Sequence, residues 1–199
     1  MKIIVVGGTG TIGQAVVAEL KQRHSVIIAG HRSGDVQVDI TDTKSIEKMY
    51  QSIKEFDAVV STTGKVHFGA LTEMKDEQYQ VGLKSKLMGQ VNLVLLGIQY
   101  INNGGSFTLT SGILSHDPIR YGSSASMVNG ALDSFVKAAA IEMPKNIRIN
   151  IVSPTVVTES MGAYAEYFRG FESVSAKRVA LAYSKSVEGA QTGQVYDVD

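Results

Sequence analysis

The residues best suited to chemistry stand in two stretches. The first is "KIIVVGGTGTIGQAVVAELKQRHSVIIAG", where Gly7, Gly10 and Gly13 recur at every third position around Thr9, Thr11 and Ile12. Glycines spaced this way between an apolar run and a helical pattern allow a tight turn. They let backbone amides approach a pyrophosphate, with the helix N-terminus facing its charge. The second is "TSGILSHDPIRYGSSASMVNGALDSFVKAAAIE", Thr110 to Glu142. There Ser111 ends an apolar run, and a loop carrying His116 and Tyr121 leads into a long helix of small residues. Hydroxyl, imidazole and phenol are groups that hold an oxygen or move a proton to it.

A third feature bears on what the glycine loop would hold. After the apolar run Val26–Ala29 the chain reads Gly30-His31-Arg32-Ser33, where an acidic residue would be expected to hold the ribose hydroxyls of NAD. Arginine beside a small hydroxyl donor suits a 2′-phosphate through charge-assisted hydrogen bonds. NADP(H) is therefore favoured over NAD(H), with Arg32 and Ser33 as its contacts. The plain alternatives are a tight structural turn and a solvated arginine.

These residues need a scaffold, and the apolar pattern supplies one. Strands are expected at Lys2–Val6, Val26–Ala29, Val36–Asp39, Asp57–Val60, Ser106–Thr110, Ile147–Val152 and Gln194–Val198. Helices are expected at Ile12–Arg23, Thr43–Ile53, Asp76–Ile101, Ser124–Glu142 and Ala176–Val187, with "NNGG" at 102–105 stopping the third and Pro144 the fourth. Several strands are apolar on both faces, as in a sheet covered by helices on each side. Regular β-α alternation implies parallel strands and right-handed crossovers. The expected fold is a single α/β domain over 1–199, a doubly wound parallel sheet of about seven strands, the Rossmann fold.

Composition narrows the function. The 199 residues carry 19 basic and 19 acidic side chains and no cysteine. Without a basic block, nucleic acid is not expected as a partner, and without cysteine there is neither disulfide nor thiol chemistry. His24, His31, His67 and His116 show no helical pairing, so no metal site is expected. The apolar start "IIVV" is too short for a membrane span and lacks a signal-peptide layout, which places the protein in the cytoplasm.

With these residues in view, the chain resembles the short-chain dehydrogenase/reductase family from Lys2 to about Val198. The loop is similar to that of the extended or atypical branches, since the main branch has glycine where Thr11 stands. Asp39 and Ile40 in "VDITD" resemble the segment near the adenine. Ser61-Thr62-Thr63-Gly64 stands where the family commonly has Asn-Asn-Ala-Gly over the cofactor. "SPTVVTES" resembles the Pro-Gly segment after the sixth strand, with Pro154 kept and Thr158 placed to meet the nicotinamide amide. "TGQVYDV" resembles the closing strand.

The resemblance implies hydride transfer at a small carbonyl/alcohol pair, supported by serine, tyrosine, a lysine four residues on, and an asparagine on the preceding helix. Ser111 matches the serine. Ala125 stands at the tyrosine position, Asn129 at the lysine and Gly82 at the asparagine. Three readings follow. Tyr121, one helical turn back, is the proton donor, with Lys84 and Lys86 on the neighbouring long helix. Or His116 acts beside Ser111. Or nothing replaces the tyrosine, and the protein is a catalytically weak or inactive NADP(H)-binding sensor.

Two further segments concern partners. Gly130, Ser134 and Ala138 share one face of the helix from Ser124, which in the resembling family pairs across a two-fold axis. This implies a homodimer or homotetramer, with packing on the chain's own sheet as the alternative. "ESMGAYAEYFRGFESVS" stands where the family has its substrate lid. It reads as an aromatic cover suited to a small-molecule substrate or as a short amphipathic helix.

Overall fold

The fold follows from the first strand. In β1, Lys2–Val6, successive side chains point to opposite faces. Ile3 and Val5 enter one core while Ile4 and Val6 enter the other. A strand covered on both faces has to be apolar throughout, and that is what makes its boundaries legible. The computed structural model describes residues 1–199.

Six more strands extend the sheet: β2 (Ser25–Gly30), β3 (Val36–Gln37), β4 (Phe56–Ser61), β5 (Ile101–Thr110), β6 (Arg148–Pro154) and β7 (Val195–Val198). All pair in parallel, in the order β3-β2-β1-β4-β5-β6-β7. The winding reverses between β1 and β4, so a crevice opens beyond their C-terminal ends. Helices α1 (Thr11–Leu20) and α7 (Ala176–Glu188) cover one face through Val16, Leu20, Val179 and Tyr183. The other face is covered by α2 (Thr43–Ile53), α4 (Gly89–Gly97) and α5 (Ser123–Glu142) through Ile46, Tyr50, Leu93, Leu132 and Val136. Each of these side chains, once buried, contributes about 1.5–3 kcal/mol. The doubly wound parallel sheet of seven strands is the Rossmann fold expected. No helix is long and apolar enough to cross a membrane.

Three expectations are corrected. The helix expected over Asp76–Ile101 is α3 (Asp76–Val81), a π-helical segment Gly82–Met88, and α4, which ends at Gly97. Second, "NNGG" does not stop that helix but lies inside β5. Ile101 pairs with Phe56, Asn102 Nδ2 donates to Asp57 Oδ1 (2.7 Å), and the register slips between Phe56 and Ala58. Third, β3 stops at Gln37 because the Asp39 N–H goes to Ser45 Oγ (2.9 Å) and the Asp39 carboxylate turns back to Thr41.

Candidate active site

The glycine loop leaves β1 with Gly7 N–H donating to Ala29 O (2.8 Å) and Gly10 N–H to Gly7 O (2.9 Å). A Cβ on Gly13 would run into the Gly7 carbonyl, so only glycine lets α1 sit this close to the strand end. No side chain caps α1 and its first turn carries no acid, which leaves its amides and dipole facing the crevice.

The crevice holds two neighbouring spaces. A polar groove of about 750 Å³ is lined by Gly7, Thr9, Gly10, Asp39, Ile40, Thr62, Thr63 and Gly64 among the expected residues. An apolar cavity of about 210 Å³ lies beyond it, lined by Ile12, Gly64 and Pro154 among those expected. Gly64 belongs to both walls. Asp39 accepts from Thr41 Oγ1 and from Thr41 N–H, and these bonds hold its carboxyl below the usual carboxylate range.

Other expected residues stand elsewhere. Thr11 and Gly13 belong to the first turn of α1, and Ser61 is buried at the end of β4 with its carbonyl accepting from Thr110 Oγ1. Arg32 and Ser33 are exposed just outside the groove, whose wall is made there by His31. Thr158 is exposed and its hydroxyl is shared with Ser173 Oγ (3.1 Å), while Thr155 and Ser160 take the cavity wall nearby. Ser111 is buried. Its hydroxyl has no protein partner and its carbonyl faces the cavity's lysine.

The expectation that Tyr121 points toward the pocket is not met. Its backbone is left-handed, at φ +66°, which turns the side chain outward. Its ring is half exposed, edge-on to Tyr167 (centroids 6.3 Å apart) with the Arg120 guanidinium near its face. His116 is also exposed, its Nδ1 lying 3.2 Å from Ser115 Oγ. Neither lines the cavity.

What does line it includes residues named in the sequence without a catalytic role of their own, and others not singled out there. Ala125 and Asn129 from α5 form one wall, Lys86 from the π segment another, and Val156 and Val157 a third. The segment after Thr158 lies against this cavity. Met161–Tyr164 is a short helix, α6, and Tyr164 and Phe168 close the cavity within a cluster that includes Phe68 and Phe171. An aromatic-rich segment was the one signal for these; nothing in the helical periodicity pointed to Lys86.

A family model described as enoyl-(acyl carrier protein) reductase matches residues 8–195. The chain belongs to the short-chain dehydrogenase/reductase family. Its members are oxidoreductases that bind a nicotinamide cofactor. The crystal structure of a Listeria innocua protein is 53% identical, with a TM-score of 0.99 and all of both chains covered. A small-chain dehydrogenase crystallised in complex with NADPH is 27% identical, with a TM-score of 0.89, covering 100% of this chain and 96% of that one. A short-chain dehydrogenase/reductase of Aspergillus aculeatus is 27% identical over 83% of this chain and 63% of its own length. The chain thus spans a little under two thirds of that relative, and 62% of a Bacillus subtilis oxidoreductase.

Proposed function

We propose that this short-chain dehydrogenase/reductase binds NADP(H) and reduces a small carbonyl compound to its alcohol. The observation that carries the proposal is the meeting at Gly64 of a polar groove and an apolar, lid-covered cavity with one cation in its wall. A dinucleotide has the same division, a charged pyrophosphate and adenosine at one end and a flat nicotinamide at the other. The fit rests on the uncapped helix α1 and on the cradle that a Cβ at Gly13 would fill.

In this reading the Gly7–Gly13 loop, including Thr9, Thr11 and Ile12, holds the pyrophosphate. Asp39 and Ile40 border the adenine, Arg32 and Ser33 meet the 2′-phosphate, and Ser61 to Gly64 border the nicotinamide ribose. Pro154 and Thr158 border the nicotinamide. The bound cofactor supplies the hydride. Apolar side chains and the lid exclude water, which strengthens every charge interaction inside. Ser111, buried with an unpaired hydroxyl, holds the substrate oxygen. The NADPH-bound relative supports the choice of NADP(H) over NAD(H). The absence of cysteine supports a reducing, cytoplasmic setting.

A second reading, nucleotide binding without turnover, is favoured by Ala125 and Asn129 at the family's acid and lysine positions and by the outward ring of Tyr121. Titration of the protein with NADPH, NADP⁺ and NADH by calorimetry, followed by addition of a small activated aldehyde, separates the two. Tight NADPH binding with aldehyde-dependent oxidation of NADPH supports the reductase. Binding with no oxidation supports the sensor, and no binding of any nucleotide overturns both.

We also propose that the protein is a homodimer built on α4 and α5. Gly130 has open space around it, and Ser134 and Ala138 are exposed, so the small-residue face of α5 looks away from the chain's own sheet.

A further inference from the structure

The cavity's single charged side chain comes from the π segment rather than from α5. A π turn bonds each amide five residues back and carries an extra residue per turn, so it aims side chains where an α-helix would not. Lys84 lines the groove; Lys86, two residues on, lines the cavity. Gly82 lets α5 pack against this segment, since a Cβ there would already press on Ser124 and Val128.

Lys86 is firmly held. Its carbonyl accepts from Gln90 Nε2 (3.1 Å). The fully buried Gln90 amide also pairs with Thr110 N–H (2.9 Å) and Thr110 O (2.8 Å) at the end of β5. Lys86 Nζ itself donates to Ser111 O (2.9 Å). Its other two N–H bonds have no protein partner. Two more polar atoms around the site lack one as well, Ser111 Oγ and Asn129 Oδ1, on residues 3% and 4% exposed. Buried polar groups are almost always paired; the spare N–H bonds of Lys86 and the free Asn129 Oδ1 in the cavity wall, with Ser111 Oγ next to the lysine's own partner, leave bonding capacity that a polar ligand atom would take up.

We propose that Lys86 is the proton donor of this cavity, delivering the proton to the carbonyl oxygen of the substrate. The step rests on the nicotinamide reading above. As the carbonyl carbon takes the hydride, the C=O π pair moves to oxygen. The Lys86 N–H bond breaks, its electrons stay on nitrogen, and the proton joins the oxygen. The products are an alcohol, the oxidised cofactor and a neutral amine, which is reprotonated by water.

The electrostatics agree with this use. Burial pushes the Lys86 ammonium down to about 8, with the Asp133 carboxylate of α5 opposing part of the fall. Tyr164 is the other titratable group on the cavity wall. An acid that titrates close to working pH transfers its proton far more readily than an ordinary lysine.

The test uses the full chain, Lys86→Met and Lys86→Arg. NADPH affinity is measured by calorimetry, reduction of 4-nitrobenzaldehyde is followed from acid to alkaline pH, and lysine ε-carbons are titrated by ¹³C NMR. The expected result is a resonance, absent from Lys86→Met, with a midpoint near 8. Reduction by the wild type should fall as pH rises through that value. Both variants should lose about 100-fold or more in turnover while NADPH affinity is nearly kept. Arginine keeps the charge but holds its proton too tightly to give it up, so rescue by Lys86→Arg overturns proton transfer. A midpoint at the ordinary lysine value overturns it too, as does a loss confined to NADPH affinity. Failure of the wild type to bind NADPH strikes instead at the underlying reading, and calorimetry shows that before any aldehyde is added.

Discussion

A Cβ on Gly64 would lie 2.8 Å from the Cα of Lys86, and Gly64 itself has φ +128°. The loop after β4 and the π segment are thus in direct backbone contact, reinforced by Lys65 N–H donating to Ser85 Oγ (3.0 Å). Whatever orders Thr62–Gly64 is felt at Lys86. Gly64→Ala adds both a disfavoured backbone angle and a clash, together costing about 1–3 kcal/mol. Thermal unfolding should show a loss of several degrees, and an unchanged melting temperature would sink the contact as a constraint.

The enclosed Lys86 amine makes the stability of the fold depend on pH. Its folded value is lowered from 10.5 to about 8. Between those pH values the unfolded chain holds a proton that the folded chain has lost, so this group's contribution rises with pH across the window. Below it, the folded state bears the full cost of enclosing a charge. Lys86→Met should therefore be more stable than wild type at pH 7, by roughly 2 kcal/mol after the lost bond to Ser111. The advantage should shrink from pH 8 toward 10.5. Denaturant unfolding across that range checks it, and a pH-independent difference would refute it.

Gln90 is the buried tie behind that lysine. Gln90→Leu leaves Thr110 N–H and O without their side-chain partner, and each unsatisfied buried group costs about 1–3 kcal/mol. We expect Gln90→Leu to be among the more destabilising single substitutions in the chain, and to broaden or shift the Lys86 resonance even where the protein remains folded. A variant of wild-type stability with an unmoved resonance would show that the tie is dispensable.

The residues explain which parts of this site could be read in advance. β1 was legible to its last residue because all its apolar side chains are buried on two faces and glycines follow at once. The glycine turn at the groove floor was legible too, because its spacing gains a backbone meaning from the β-α-β pattern it opens. The cavity was not legible. Its lysine is carried by a π segment, and a 3.6-residue periodicity cannot tell which of Lys84 and Lys86 turns inward there. Tyr121 misled because it stands in the loop just before α5, where spacing along the helix does not fix its direction, and its backbone there is left-handed. Asn129 looked like a loss at the lysine position, and in the folded protein it lines the same cavity as a lysine from another helix.

If the protein takes NADP(H) as proposed, Arg32 is the residue on which that choice would turn. It is exposed and makes no side-chain bond in the protein, so its guanidinium is available to a phosphate beside the groove. Hydrogen bonds to a charged group contribute about 1.5–3 kcal/mol, a tenfold to hundredfold change in affinity. Arg32→Ala should weaken NADPH by that factor, less at high salt, and leave NADH nearly unchanged. Calorimetry with both nucleotides decides it, and equal losses would remove Arg32 from the 2′-phosphate.

The last prediction concerns assembly. Leu95 on α4 is 54% exposed, and Met88, Met127 and Ile141 add apolar surface on the π segment and α5. Nothing lies within 4 Å of a Cβ at Gly130, and replacing a mid-helix glycine favours the helix by up to about 1 kcal/mol. Gly130→Glu should therefore leave the folded chain at least as stable. In a two-fold dimer the substitution acts twice, placing like charges near the axis in an interface otherwise depleted of charge. Sedimentation should show a dimeric wild type and a largely monomeric Gly130→Glu. A monomeric wild type, or a variant that associates as tightly, would mean that this face of α5 pairs with nothing.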